Sequence, residues 1–177
     1  MQIQAILEAP FIPVKRTLNE ANLYLFWFTF TIGNLLLPMV VHSIPNGGMI
    51  FLPLFFFTLV AAYSEGLLVG TLVAISSPLI NYFLTGMPML TMLPIVLFKS
   101  VFIAVAASMV SIHFKKINLI AIISLVVTMQ LMGSALEYII SGNIERAISS
   151  LQLGIPGMII MAFAGYALLR IIAKIRE

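Results

Sequence analysis

The sequence predicts an all-α integral membrane protein, a six-transmembrane-helix bundle with both termini cytoplasmic, and three observations carry that prediction. The first is composition: 62% of the 177 residues are hydrophobic and 8% are charged, against roughly 45–50% and about 25% in a soluble domain. Too few polar side chains remain to cover a water-facing surface. The second is the apolar runs, which are continuous over about the ~20 residues that cross ~30 Å of hydrocarbon, whereas barrel strands alternate over ~10. The third is the placing of the bases. Lys15 and Arg16, Lys115 and Lys116, and Arg170, Lys174 and Arg176 all fall on one side when six spans are drawn, and basic flanks mark the cytoplasmic side.

The spans expected are 21–41, 49–63, 66–84, 89–111, 117–141 and 152–173, in a single transmembrane domain covering 1–177. The second is short, as for a helix that is little tilted or begins inside the protein. Omitting it would put Lys115 and Lys116 on the wrong side. The opposite loops, 42–48, 85–88 and 142–151, hold Arg146 as their only base, next to Glu145. The first twenty residues include Glu8, Pro10, Pro13 and Glu20 and lack an apolar signal-peptide core, so they read as an interfacial segment. The net charge of +3 sits at predicted helix ends, which argues for topology rather than nucleic-acid binding, and the absence of cysteine removes disulfides and thiolate sites.

The chain is organised around residues 64–99. Gly66, Gly70 and Ala74 recur every four residues and so share one helix face, where small side chains let another backbone approach closely. This face reads as a docking seam for a partner, with packing inside the chain as the alternative. Ser77, Asn81 and Thr85 form a polar stripe at the other end of the same helix, beyond Pro78. The turn Thr85-Gly86-Met87-Pro88 follows, and the next helix carries Lys99 into the apolar layer. A charge there costs about 2.5–3.5 kcal/mol on insertion scales unless it meets a cavity or a partner.

Elsewhere the fifth span has a second stripe. Gln130, Gly133, Ser134, Glu137 and Ser141 follow i, i+3, i+4, i+7 and i+11 and should face into the bundle. Lys99 and Glu137 then lie at similar depth in the outer half. They either pair to fix helix register or bracket a polar or zwitterionic solute together with Asn81, Gln130 and Ser134. In the first span Trp27 reads as an interfacial belt residue. Asn34, deeper, reads as an interhelical hydrogen-bond former or a ligand contact. His42, at the edge of the loop HSIPNGG, reads as a loop histidine.

Much chemistry is missing. The chain has no HExxH, no GxSxG and no nucleotide-binding loop. No nucleophile or oxyanion site accompanies Glu137 and Lys99, so neither an enzyme nor a cofactor or metal site is expected. Solute binding survives these exclusions.

Across nearly its whole length the chain resembles the substrate-binding S component of an energy-coupling factor (ECF) transporter. The likeness rests on about six spans, a size near 20 kDa (19.5 kDa here), and the run EGLLVGTLVAISSPLINYFLTGMP, which is similar to the second-to-third-span region of that family. The resemblance implies capture of a vitamin or similar small organic solute at the outer face of a prokaryotic cell membrane. It also implies partners, namely a transmembrane coupling subunit and two ATPase subunits. In that family an AxxxA motif in the first span serves coupling, whereas here that span is bulky and aromatic with only Gly33 small near its middle. Gly66, Gly70 and Ala74 take its place in this reading. Nickel and cobalt members carry a histidine directly after the initiator methionine, and Gln2 here argues against a metal substrate. A membrane scaffold without a solute and a lone proton-coupled carrier stand as the alternatives.

Overall fold

The computed structural model describes residues 8–41 and 43–176; Gln2 and His42 lie outside the described residues. The helices, in chain order, are α1 (Ala21–Val41), α2 (Gly47–Phe51), α3 (Pro53–Glu65), α4 (Leu67–Thr85), α5 (Leu93–Phe114), α6 (Leu119–Ser141), α7 (Ile144–Leu153) and α8 (Ile155–Arg176). Six spans are long and apolar enough to cross a membrane, with α2 and α3 together forming the second. The chain is a multi-pass helical membrane protein. An even number of crossings returns the described ends to the same side.

The short second span proves to be the centre of the bundle. In its apolar window 67% of residues are buried, against 22–44% in the other five spans, and Leu59 through Tyr63 are fully enclosed. It looks short because Leu52, in a left-handed conformation at φ 51°, breaks it into α2 and α3, with Pro53 opening the second piece. Proline suits a first helical turn, where its missing N–H costs no bond. α3 packs against α1, α4, α5 and α8.

At the end carrying most of the bases, the segment before α1 is clasped to the bundle. Strand β1 (Glu8–Pro10) pairs antiparallel with β2 (Lys116–Asn118), Ala9 opposite Ile117. Val14 N–H donates to Ser64 O at 3.2 Å, and the Tyr63 hydroxyl donates to Lys116 O at 2.7 Å. At the opposite end, residues expected as a loop form α7. Asn143 caps it by accepting from Arg146 N–H at 3.0 Å, which offsets one of the unpaired donors of a helix start.

Candidate functional site

Lys99 enters α5 behind Pro94, which occupies the first turn. It sits about 9 Å along the helix axis from Leu93, at ~1.5 Å per residue. Its side chain crosses α6 at Gly133: a Cβ added there would stand 1.8 Å from Lys99 Cε and 2.6 Å from Cγ. The glycine leaves the groove in which the lysine lies. Nζ then donates to Gln130 Oε1 at 3.0 Å, and among the described residues this is its one hydrogen bond.

The network continues into α7. Gln130 Nε2 donates to Ser150 O at 3.1 Å, and Ser150 Oγ donates to Glu137 Oε2 at 2.6 Å. Arg146 Nε donates to Glu137 Oε1 at 3.2 Å, joining a half-exposed guanidinium to a buried carboxylate. The hydrogen bonds of Glu137 thus go to Arg146 and Ser150, and it meets Lys99 only through space, as one buried charge near another. The buried charges here are one of each sign, Lys99 and Glu137, and the half-exposed Arg146 has Glu145 exposed beside it. Ser134 lies on the same helix face, buried, and its hydroxyl has no hydrogen-bond partner among the described residues.

The α6 stripe therefore faces inward at Gln130, Gly133, Ser134 and Glu137, while Ser141, the last residue of α6, is exposed. The other predicted residues belong elsewhere. Asn34 is buried and ties three helices: Nδ2 donates to Thr58 Oγ1 at 2.9 Å and to Ser77 Oγ at 3.2 Å, and Oδ1 accepts from Phe57 N–H at 3.1 Å. Its amide is consumed by interhelical bonds. Thr58 Oγ1 lies 3.5 Å from Ser100 Oγ, so this tie reaches the residue next to Lys99. Asn81 donates to Met87 O at 3.1 Å and braces the turn into α5. Trp27 lends its indole N–H to Ser76 Oγ at 2.9 Å.

The seam of Gly66, Gly70 and Ala74 corrects the coupling assignment. A Cβ on Gly70 would meet Ala62 Cβ at 2.5 Å and its Cα at 2.7 Å, so α4 lies directly on α3 there. Gly66 turns the chain between the two helices at φ 85°, with Val14 O 2.9 Å from where its Cβ would be, and Ala74 is fully buried. The small residues let the chain pack on itself, and no face of them is left for a partner.

Sequence reasoning missed two sets of residues. Arg146 and Ser150 escaped because their segment is too short and too polar to read as a span. The amphipathic spacing of Ile144, Ala147 and Ile148 was the available signal. The second set is at the opposite end, where Glu65 is buried between Arg16 and Arg176. Arg16 NH2 approaches Oε2 at 2.9 Å, Arg176 NH2 reaches Oε1, and Arg176 NH1 donates to Ser64 O at 3.1 Å. A cleft of about 430 Å³ opens beside them, bounded by Pro13, Val14, Leu67 and Thr71. Lys15, Arg16 and Glu65 are its charged lining, and of these Arg16 and Glu65 pair with each other.

That arrangement makes one residue diagnostic. Gly133→Ala is expected to push the Lys99 stem out of its groove and abolish the Gln130 bond, with a stability loss of about 1–3 kcal/mol from overpacking. A melting curve and a crystal or cryo-EM structure of the variant check this, and an unmoved Lys99 would contradict it. No family model, characterised protein or solved structure matches the chain.

Proposed function

We propose that the chain is the substrate-binding S component of an ECF-type transporter, taking up a vitamin or similar small organic solute at the Lys99 end for ATP-driven import by its partners. The observation that carries this reading is the buried ammonium of Lys99, held among the described residues by one neutral acceptor on Gln130, with an unpartnered buried hydroxyl on Ser134 one turn along the same helix. A lysine kept only to fix helix register would be matched to the nearby carboxylate, because a buried charge without compensation is costly. Here the carboxylate's hydrogen bonds go to Arg146 and Ser150, and it compensates Lys99 only through space. Lys99 keeps donors for a solute.

Seven bases at the opposite end set that end in the cytoplasm by the basic-flank rule, which turns the Lys99 end outward. The partner surface moves from the glycine seam to exposed apolar faces. α1 is the least buried span at 22%, and it is also the span the resemblance assigns to coupling. Gly33 does not serve there, since a Cβ at that position would meet the Phe57 ring at 2.6 Å.

The test is binding of the small molecule that copurifies with the detergent-solubilised protein. Lys99→Met is expected to weaken it by about 30-fold or more, corresponding to about 2 kcal/mol or more for truncating one partner of a buried charged hydrogen bond. Unchanged affinity with only a shifted melting temperature would make Lys99 structural. Proteoliposomes containing this chain alone are expected to show no uptake under a proton or sodium gradient. Uptake there would establish a lone carrier instead.

A further inference from the structure

We infer that the cleft beside the start of α4, at the base-rich end of the bundle, holds one anionic phospholipid, with its headgroup phosphate at Lys15 and its acyl chains along the outer faces of α4 and α5. The inference does not depend on solute capture at the Lys99 end.

Three elements meet at the cleft. The segment before α1 contributes Val14, Lys15 and Arg16, the start of α4 contributes Leu67 and Thr71, and the end of α5 contributes Ile112. The volume of about 430 Å³ falls within the roughly 300–1,000 Å³ of small-molecule sites. Leu67 and Ile112 are half-exposed, and exposed apolar side chains continue from each of them toward the middle of the spans: Ile75 at i+8 on α4, and Met109 and Val105 at i−3 and i−7 on α5. These spacings keep each row on one helix face. The apolar walls of the cleft are therefore continuous with surface that meets hydrocarbon, which is what an acyl chain requires.

The charged lining selects the headgroup. Arg16 approaches Glu65 at 2.9 Å and Glu20 at 3.6 Å, and Glu65 also takes Arg176, so both of these carboxylates are committed to arginines. Lys15 is exposed and has no carboxylate partner among the described side chains, and Thr71, in the same lining, has no hydrogen-bond partner for its hydroxyl among the described residues. A lysine ammonium offers three donors and no acceptor, which suits a phosphate. The cation of a zwitterionic headgroup finds no free carboxylate in this lining, whereas an anionic headgroup needs none. The basic-flank rule sets this end in the cytoplasm, and the cytoplasmic leaflet is the one whose anionic lipids are drawn to juxtamembrane bases. Free phosphate would meet the same ammonium but gain nothing from the apolar walls.

The experiment places the full chain in nanodiscs of phosphatidylcholine, alone or with a minor share of phosphatidylglycerol, and counts the lipids retained on release by native mass spectrometry. One phosphatidylglycerol per chain is expected to stay bound in preference to phosphatidylcholine, and millimolar inorganic phosphate is expected not to displace it. Lys15→Gln should weaken retention about fivefold, the factor for one base at a lipid surface, and Thr71→Phe, which fills the cleft from α4, should abolish it. Lys174→Gln removes a base at the same end but outside the lining and should leave retention unchanged. Phosphatidylglycerol should also slow limited proteolysis of the segment before α1 in the wild type and not in Lys15→Gln, since the lipid would tie Lys15 to α4 and α5. Equal loss of retention in Lys15→Gln and Lys174→Gln would overturn the inference in favour of diffuse attraction to the basic end. Equal retention of both lipids, or displacement by inorganic phosphate, would overturn it as well. Lys15 is an exposed side chain, so its variant decides the matter even if Thr71→Phe does not fold.

Discussion

Gly70→Leu is expected to prevent the isolated protein from folding, before any partner is involved. The Cβ alone would stand 2.5 Å from Ala62 Cβ and 2.7 Å from Ala62 Cα. Both are atoms of the fully buried Ala62 that no side-chain rotation can move, so the overlap is not relieved. Leucine adds three further carbons on that side, and α4 would have to separate from α3 along much of their contact. Overpacking a core costs about 1–3 kcal/mol where neighbours can yield, and more where backbone must move. Since a typical domain is stable by only about 5–15 kcal/mol, a loss above 3 kcal/mol should remove most folded protein. Size-exclusion chromatography and thermal melting in detergent read this directly. A monodisperse Gly70→Leu protein with a wild-type melting temperature would return the seam to the surface and restore it as a partner face.

The second large effect is expected at Glu65. Glu65→Gln removes the buried carboxylate shared by Arg16 and Arg176, leaving Arg16 with the more exposed Glu20 at 3.6 Å and Arg176 facing a neutral amide. Removing one member of a buried ion pair costs about 3–5 kcal/mol. Here the arginine side chains are 14% and 28% exposed, so water screens part of the loss and about 2–3 kcal/mol is expected. The loss should be felt at both chain ends. Arg16 lies in the clasped segment before α1, and Arg176 closes α8, so limited proteolysis should cut residues near both sooner than in the wild type. Binding at the proposed Lys99 site should persist in the fraction that stays folded, because Lys99 is at the other end of the bundle. A Glu65→Gln protein with unaltered melting and proteolysis would show that the two arginines are held by their other contacts, Glu20 beside Arg16, the Phe26 and Phe11 rings beneath them and Ser64 O.

Particular residues mark what could be read in advance. The expected spans 66–84 and 117–141 meet α4 and α6 to within two residues, because apolar length is a local property. The span expected from 89 begins instead at Leu93, where Pro94 takes the first turn. The inward face of α6 was legible too, since Gln130, Gly133, Ser134 and Glu137 repeat with the helix and lipid accepts none of their polar groups. Asn34 was legible as polar and deep, but its bonds to Thr58, Ser77 and Phe57 depend on three helices meeting.

Pairing was not legible. Lys99 and Glu137 are a natural couple by charge and depth, yet the carboxylate goes to Arg146 and Ser150, which reach it from a ten-residue helix too polar to score as a span. The glycine seam was legible as a close-approach surface, but spacing says only that a backbone comes near and not whose. Composition and the period of the apolar residues by themselves determined that this chain is a bundle of six membrane-crossing helices and which faces turn inward, because lipid judges each helix separately by length and polarity. Only the tertiary structure decided that α3 is the hub, that Gly70 rests on Ala62, and that Lys99 bonds to Gln130 while Glu137 bonds to Arg146, because each depends on which side chains from distant segments arrive first at the same few ångströms.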